Sequence, residues 1–407
     1  MLYNIAIHLY KAGVWIASHF NKKVRTMWEG EKRAYEKIGN MVSHRHPYLW
    51  FHAASLGEFE QGRPIIEAIR RSHPEYRILL TFFSPSGYEV RKSYGGADIV
   101  CYLPLDTPRN AKRFLSLIEP KMAFFIKYEF WYNYLNTLKE RDIPVYSVSS
   151  IFRPGQVFFR SYAKNYSKVL NCFTHFFVQN EQSRNLLANI GITNVTVSGD
   201  TRFDRVLEIK KHSKELPIID AFVKDAEHVF VAGSSWQPDE DIFIHYFNKH
   251  RSWKLIIAPH VISEERVANI REKIDGASVR YTTATLEKAE NAKALVIDCF
   301  GLLSSIYRYA DVTYVGGGFG AGIHNLLEAA VWNKPIFFGP NNGRFQEAQE
   351  LKKSGGGTEI KSAADFTRKM DTYLNSPHLM AEDGEKAGQY VASKSGATQQ
   401  ILSAIPL

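Results

Sequence analysis

The chain of 407 residues has only three cysteines, Cys101, Cys172 and Cys299, and no two form a Cys-x-x-Cys pair. That scarcity excludes a disulfide framework and a cysteine-built zinc site, and it fits a reducing cytoplasm. Also missing are Gly-x-x-x-x-Gly-Lys-Ser/Thr, His-Glu-x-x-His, Gly-x-Ser-x-Gly and any cysteine-nucleophile signature, so P-loop, zincin and hydrolase-type chemistries lack their motifs. His44 and His46 flank Arg45 without a third ligand at metal spacing. No low-complexity stretch interrupts the sequence, and 45% hydrophobic against 23% charged residues is the balance of a folded chain. At roughly 100–200 residues per domain, the length points to two domains.

Acidic residues are outnumbered. Lys and Arg total 51 against 42 Asp and Glu, a net charge of +9, which favours phosphorylated substrates, anionic lipid or nucleic acid as partners. The basic and aromatic cluster of an RNA-binding motif is missing, so nucleic acid is not an expected partner.

Long apolar runs are equally scarce. The first twenty residues, MLYNIAIHLYKAGVWIASHF, alone have membrane character. On a helix turning about 100° per residue, Asn4, His8, Lys11, Ser18 and His19 share one stripe, and Leu2, Ile5, Ile7, Leu9, Val14, Ile16 and Phe20 occupy the remaining surface. Lys11 interrupts the apolar run and no small-residue cleavage site follows, which argues against a secretory signal. A lysine near the middle disfavours crossing a bilayer, so a retained helix lying in the interface is expected over residues 1–25. The alternative is a helix docked on the protein's own core.

Beyond Lys22, Lys23 and Arg25, short apolar runs alternate with helical patterns. YLWFHA (48–53), RILLTFF (77–83), MAFFIK (122–127), PVYSVS (144–149) and HFFVQN (175–180) read as strands. Around 205–225 the chain turns polar and carries Pro217, as a linker would. The alternation restarts with HVFVAG (228–233), KLIIAP (254–259), ALVID (294–298), VTYVGG (312–317) and PIFFG (335–339). This predicts two doubly wound α/β domains, 26–210 and 211–407, facing a cleft where ligands meet the carboxyl ends of the strands.

Three segments hold candidate chemistry. HAASLGE places Ser55 three residues before Glu58, just after a strand: a capping box, or a carboxylate placed to take a proton from a sugar hydroxyl. DVTYVGGGFGAGIHNLLEAA (311–330) runs from a strand through Gly316, Gly317, Gly318, Gly320 and Gly322 to a helix expected near His324. Its N–H groups would suit a phosphate, and Glu328, one turn on, would suit ribose hydroxyls; the alternatives are a tight turn and a first-turn acid. Asp239-Glu240-Asp241 follows Pro238 and is expected to be a solvated first turn.

In order and spacing, these pieces resemble the 3-deoxy-D-manno-octulosonic acid (Kdo) transferases. WFHAASLGEFEQGRPII (50–66), TFFSPSGYEV (81–90), YLPLDTP (102–108), KYEFWYN (127–133), VQNEQSRNLL (178–187), VSGDTRFD (197–204), VAGSSW (231–236) and YRYADVTYVGGGFGAGIHNLLEAAVWNKPIFFGP (307–340) carry the likeness. The resemblance implies a GT-B glycosyltransferase of two Rossmann-like domains, with inversion, no cofactor or metal, and an N-terminal membrane helix. It implies CMP-Kdo as donor, a lipid A precursor as acceptor and the cytoplasmic face of the inner membrane as its place. Glu58 matches the base, with Ser55, Gly57 and Glu129 in support. Ser234, Ser235, Pro259, His260, Gly317, Gly318, Gly322, His324, Asn325 and Glu328 match the donor segment. The chain departs from the family where Glu-Thr-Glu-Leu-Trp-Pro-Asn is usual and Lys127 replaces the first acid, and where Pro-Arg-His-Pro-Glu-Arg is usual and Pro259 is followed by His260 and Val261. A GT-B transferase or epimerase for a UDP-sugar is the alternative, and it should lack HAASLGE.

Overall fold

Strands covered on both faces need continuous apolar sequence rather than alternation, and all six residues of strand β1, Tyr48–Ala53, are buried. The computed structural model describes residues 2–160 and 164–407. It sets β1 in a sheet with β2 (Arg77–Phe82), β3 (Ile99–Tyr102), β4 (Met122–Ile126), β5 (Val145–Ser150), β6 (His175–Val178) and β7 (Val195–Val197). The order is β3-β2-β1-β4-β5-β6-β7, with every neighbouring pair parallel. Alternate residues of β1 feed two cores. Trp50 packs with Phe114, Phe125 and Tyr134 on one face, and Leu49 and Phe51 pack with Phe59, Ile65 and Phe124 on the other.

The second sheet holds β8 (His228–Ser235), β9 (Trp253–Pro259), β10 (Ser278–Arg280), β11 (Ala294–Val296), β12 (Val312–Val315), β13 (Ile336–Phe338) and β14 (Gly357–Glu359). Its order is β10-β11-β9-β8-β12-β13-β14, again all parallel. The sheet direction reverses beside β1, toward β4, and beside β8, toward β12, which makes these the switch points where such sheets bind ligands. Two Rossmann-like domains in tandem are the fold of the GT-B class.

The expected linker is helical. Arg202–Lys211 and Pro217–Val223 are helices, and Pro217 stands in a first turn, where its missing N–H costs nothing. One compact unit takes the chain up to Arg205 together with Ser395–Leu407, and the other is Val206–Lys394. The second domain therefore stops short of the expected 407, for two local reasons. Ile401 and Ile405 are buried in a core of the first sheet, and the Asp204 carboxylate accepts the N–H groups of Gly396 (2.6 Å) and Thr398 (2.7 Å) at the start of the last helix.

The N-terminal segment is two helices, α1 (Leu2–Phe20) and α2 (Lys22–Met41). Between them, Asn21 accepts the N–H groups of Lys23 and Val24, and Arg25 donates back to the carbonyls of Ser18 and His19, closing the end of α1. The α1 helix docks on its own domain with part of its polar stripe inward, while His8 and His19 stay exposed. Asn4 and Lys11 are half-buried, Ser18 is buried, and Val14 packs with Met27 and Tyr102. Ile5, Leu9, Ile16 and Phe20, on the opposite side of the helix, are exposed. Among the described residues no helix is long and apolar enough to cross a membrane.

Candidate active site

Strand β1 ends in Ala53, and Ser55 leads into α3, Leu56–Ser72. Glu58 stands at the third position of that helix, and its Oε2 accepts the Ser55 N–H at 3.1 Å. The Ser55 hydroxyl makes no cap bond, so only the returning half of the capping box is formed. Gly57 faces open space. Burial pushes Glu58 up to about 7, the nearby Glu129 carboxylate adds to this, and backbone N–H groups and Lys127 oppose it.

Glu129 follows β4, across the switch point from β1. Its Oε2 receives the Trp131 indole N–H at 2.5 Å and lies 3.2 Å from His52 Nε2. His52 is wholly buried on β1, and its Nδ1 lies 2.9 Å from Thr81 Oγ1. With its hydrogen on Nε2, His52 donates to Glu129 and accepts from Thr81. The motif reading passed over His52, Thr81 and Trp131. A histidine inside an otherwise apolar strand, YLWFHA, was the available signal, because a buried imidazole needs partners.

In the second domain, β8 ends at Ser235, and Ser234 takes a left-handed backbone, φ 51°. Pro259 closes β9 opposite Ser235, and the His260 N–H donates to the Ser235 carbonyl at 2.9 Å. The rings of Trp236, His260 and His324 stack in series, 4.8 and 4.3 Å apart. Burial, with His260 adding to it, lowers His324 to about 4, and burial lowers His260. An indole N–H only donates, so its 3.2 Å bond from Trp236 makes His324 Nε2 the acceptor and leaves the ring hydrogen on Nδ1.

The glycine turn after β12 differs from expectation in two ways. The helix starts at Leu327 rather than near His324 and is a single turn, Leu327–Ala330. The Gly317 N–H donates to Asp239 Oδ2 (2.9 Å) and the Gly322 N–H to the Gly317 carbonyl (3.1 Å), so both are used within the fold. The glycines are needed for close approach: a Cβ on Gly318 would meet the Gly339 backbone at 2.6 Å. Glu328 lies in the first helical turn and accepts from Ser304 Oγ at 2.6 Å and from Asn325 Nδ2 at 3.0 Å.

The Asp-Glu-Asp reading also needs correction, because Asp239 and Glu240 are fully buried. Asp239 accepts from the Trp236 N–H (2.8 Å), the Gly317 N–H and the Tyr314 hydroxyl (2.9 Å), tying the glycine turn to the first strand's end. Glu240 accepts from Ser235 and pairs with Arg266. Each first strand thus leads into a helix whose third residue is an acid that takes back the N–H of its own cap.

The fold is shared with a UDP-GlcNAc 2-epimerase from Neisseria meningitidis, at 13% identity and a TM-score of 0.60, over 88% of this chain and 98% of that one. Residues 30–205 match the model of the 3-deoxy-D-manno-octulosonic-acid transferase (kdotransferase) family. A 3-deoxy-D-manno-octulosonic acid transferase of Aquifex aeolicus is 28% identical over 80% of this chain and 86% of its own length. One from Haemophilus influenzae is 25% identical over 87% and 85%. These matches support the Kdo transferase family for the chain. Both Glu58 and Glu129 fall inside the segment matched by the family model. Lys127, where the chain departs from the family's usual acid, has a left-handed backbone at the end of β4 and acts on Glu58 as an opposing charge.

Proposed function

We propose that the protein is an inverting glycosyltransferase that moves Kdo from CMP-Kdo to a lipid A precursor in lipopolysaccharide assembly, at the cytoplasmic face of the inner membrane. The observation that carries the reading is Glu58: a half-buried acid at a switch point, pushed up to about 7 beside a second carboxylate. A base poised near neutral pH combines the correct protonation state with useful basicity. Glu58 takes the proton of an acceptor glucosamine hydroxyl as that oxygen bonds to the anomeric carbon of Kdo. The bond from that carbon to the CMP phosphate oxygen breaks on the opposite face, and CMP leaves with the electron pair. A phosphate leaving group needs no protein acid, so one carboxylate suffices.

On the donor side, Glu328 accepts ribose hydroxyls in place of one of its present donors. The glycine turn and Ser234 meet the phosphate with little side-chain bulk, with His260, His324 and Asn325 beside them. The outward apolar face of α1, followed by Lys22 and Lys23, supports attachment to an anionic membrane. Incubating the protein with CMP-Kdo, generated in situ, and a lipid A precursor tests the reading through the mass of the lipid product. A gain of one or more Kdo units is expected. An unchanged lipid, together with tighter binding of UDP than of CMP, would transfer the protein to the UDP-sugar alternative.

A further inference from the structure

A membrane anchor needs only its apolar face, yet the opposite side of α1 makes directed polar contacts far along the sequence. The Tyr3 hydroxyl donates to Asp106 Oδ2 at 2.7 Å, and Asn4 Oδ1 accepts from Asn133 Nδ2 at 2.9 Å. The Tyr3 ring lies 5.1 Å from that of Tyr132. Burial first, and then the Asp106 carboxylate, hold the Tyr3 phenol well above its usual value, so it stays a donor.

The far side of these contacts is the start of the helix Tyr132–Glu140. The Asp106 carboxylate accepts the N–H groups of Asn133 and Tyr134, each at 2.9 Å, capping that first turn. Trp131 is the residue just before the helix, and its indole N–H holds Glu129. A single short path therefore runs from α1 through Asp106 and Asn133 to the segment that carries Glu129, the carboxylate that acts on Glu58.

We propose that Tyr3 and Asn4 are positioning residues for the transfer reaction: by fastening Asp106 and Asn133 they hold the Lys127–Trp131 segment so that Glu129 stays beside Glu58. The membrane-facing helix then serves the chemistry as well as the attachment. The inference rests on the transferase reading above, and its test keeps the two apart.

The test measures kcat and KM with CMP-Kdo and a deacylated glucosamine-disaccharide acceptor, which needs no membrane, for the wild type, Tyr3→Phe and Asn4→Ala. Tyr3→Phe keeps the ring and loses only the hydroxyl. Misplacing a supporting group by about an ångström costs up to about a hundredfold in rate, so kcat should fall about ten- to a hundredfold. The acid limb of the pH profile should move to lower pH as the Glu129 charge shifts away from Glu58. KM for CMP-Kdo and the fraction bound to anionic vesicles should stay at the wild-type level. Wild-type kcat and an unmoved acid limb in both variants would overturn the proposal, as would a loss confined to vesicle binding, which would make α1 an anchor alone. A wild-type protein that does not turn over CMP-Kdo would instead remove the transferase reading, and this inference with it.

Discussion

Glu58 and Asp239 occupy the same place in their domains, third in the helix after the first strand, and their surroundings divide their tasks. Asp239 is fully buried and held by three donors, so it is committed to structure. Glu58 keeps only backbone N–H partners and is pushed up to about 7. The substitution Glu58→Gln keeps the size and the bond to the Ser55 N–H, but an amide cannot take the proton. General-base catalysis contributes about 10²–10⁴-fold, and transfer should fall by that much while CMP affinity and melting temperature hold. In the wild type, activity should rise with pH through about 7 as Glu58 ionises; equal turnover in the Gln variant would leave Glu58 as a cap. A second prediction concerns Glu31, 6% exposed beneath α1, which burial raises to about 8 although the Leu105 N–H and Lys11 oppose it. A raised carboxyl stabilises the fold below its ordinary value and loses that contribution as pH climbs through the folded value. From pH 6 to 8 the wild type should lose stability relative to Glu31→Gln by on the order of 2 kcal/mol, at about 1.4 kcal/mol per unit. Parallel denaturation midpoints for the two proteins at both pH values would contradict this.

At the scale of elements, the glycine turn is fixed by backbone against backbone. A Cβ on Gly318 meets Gly339 at 2.6 Å, and no rotamer relieves such a contact. Gly318→Ala should cost about 1–3 kcal/mol, as overpacking does, and weaken CMP binding. Gly57→Ala places its methyl in open space on a helix, where alanine is favoured over glycine by up to about 1 kcal/mol, so its melting temperature should not drop. If both alanine variants melt and bind alike, the close approach of the two glycines is not what shapes the turn. The interior strands were legible as apolar runs, β1 to the residue, because strands covered on both faces must be apolar throughout. The unread strands β3, β7, β10 and β14 are the four sheet edges. Length does not separate them, since β11 and β13 are also three residues long; β7, β10 and β14 are mostly half-buried and β3 is only four residues, so no local apolar run marks them. The same limit explains the site. HAASLGE and the glycine run announce themselves locally, whereas the bonds of His52 to Thr81 and Glu129 join three strands or strand ends that only the fold brings together.

For the molecule as a whole, the reading that the sequence left most open concerns α1. Periodicity groups Asn4, Lys11 and Ser18 on one side, but it cannot say whether that side meets water or protein, because a polar stripe is satisfied by either. Here Asn133 meets Asn4, Asp106 meets the neighbouring Tyr3 and the Lys11 charge acts on Glu31, while Ile5, Leu9, Ile16 and Phe20 are left outward. Deleting α1 would therefore uncover buried polar groups and confuse attachment with stability, so the sharper test is on the exposed side. Leu9 is 69% and Phe20 86% exposed, and surface changes of this kind alter folding by little. Entering a bilayer interface, each would bury area worth about 1.5–3 kcal/mol, roughly a ten- to hundredfold share of the partition constant. Leu9→Ser and Phe20→Ser should each lower the fraction bound to anionic vesicles by that order, and together by more, with unchanged melting temperature. Added salt should weaken the wild type further, because Lys22 and Lys23 each contribute about 1 kcal/mol near an anionic surface, whereas Arg25 is engaged in closing α1. Vesicle binding that ignores both substitutions but still falls with salt would locate the attachment in a basic surface elsewhere on the molecule, and the outward apolar face would then need another partner.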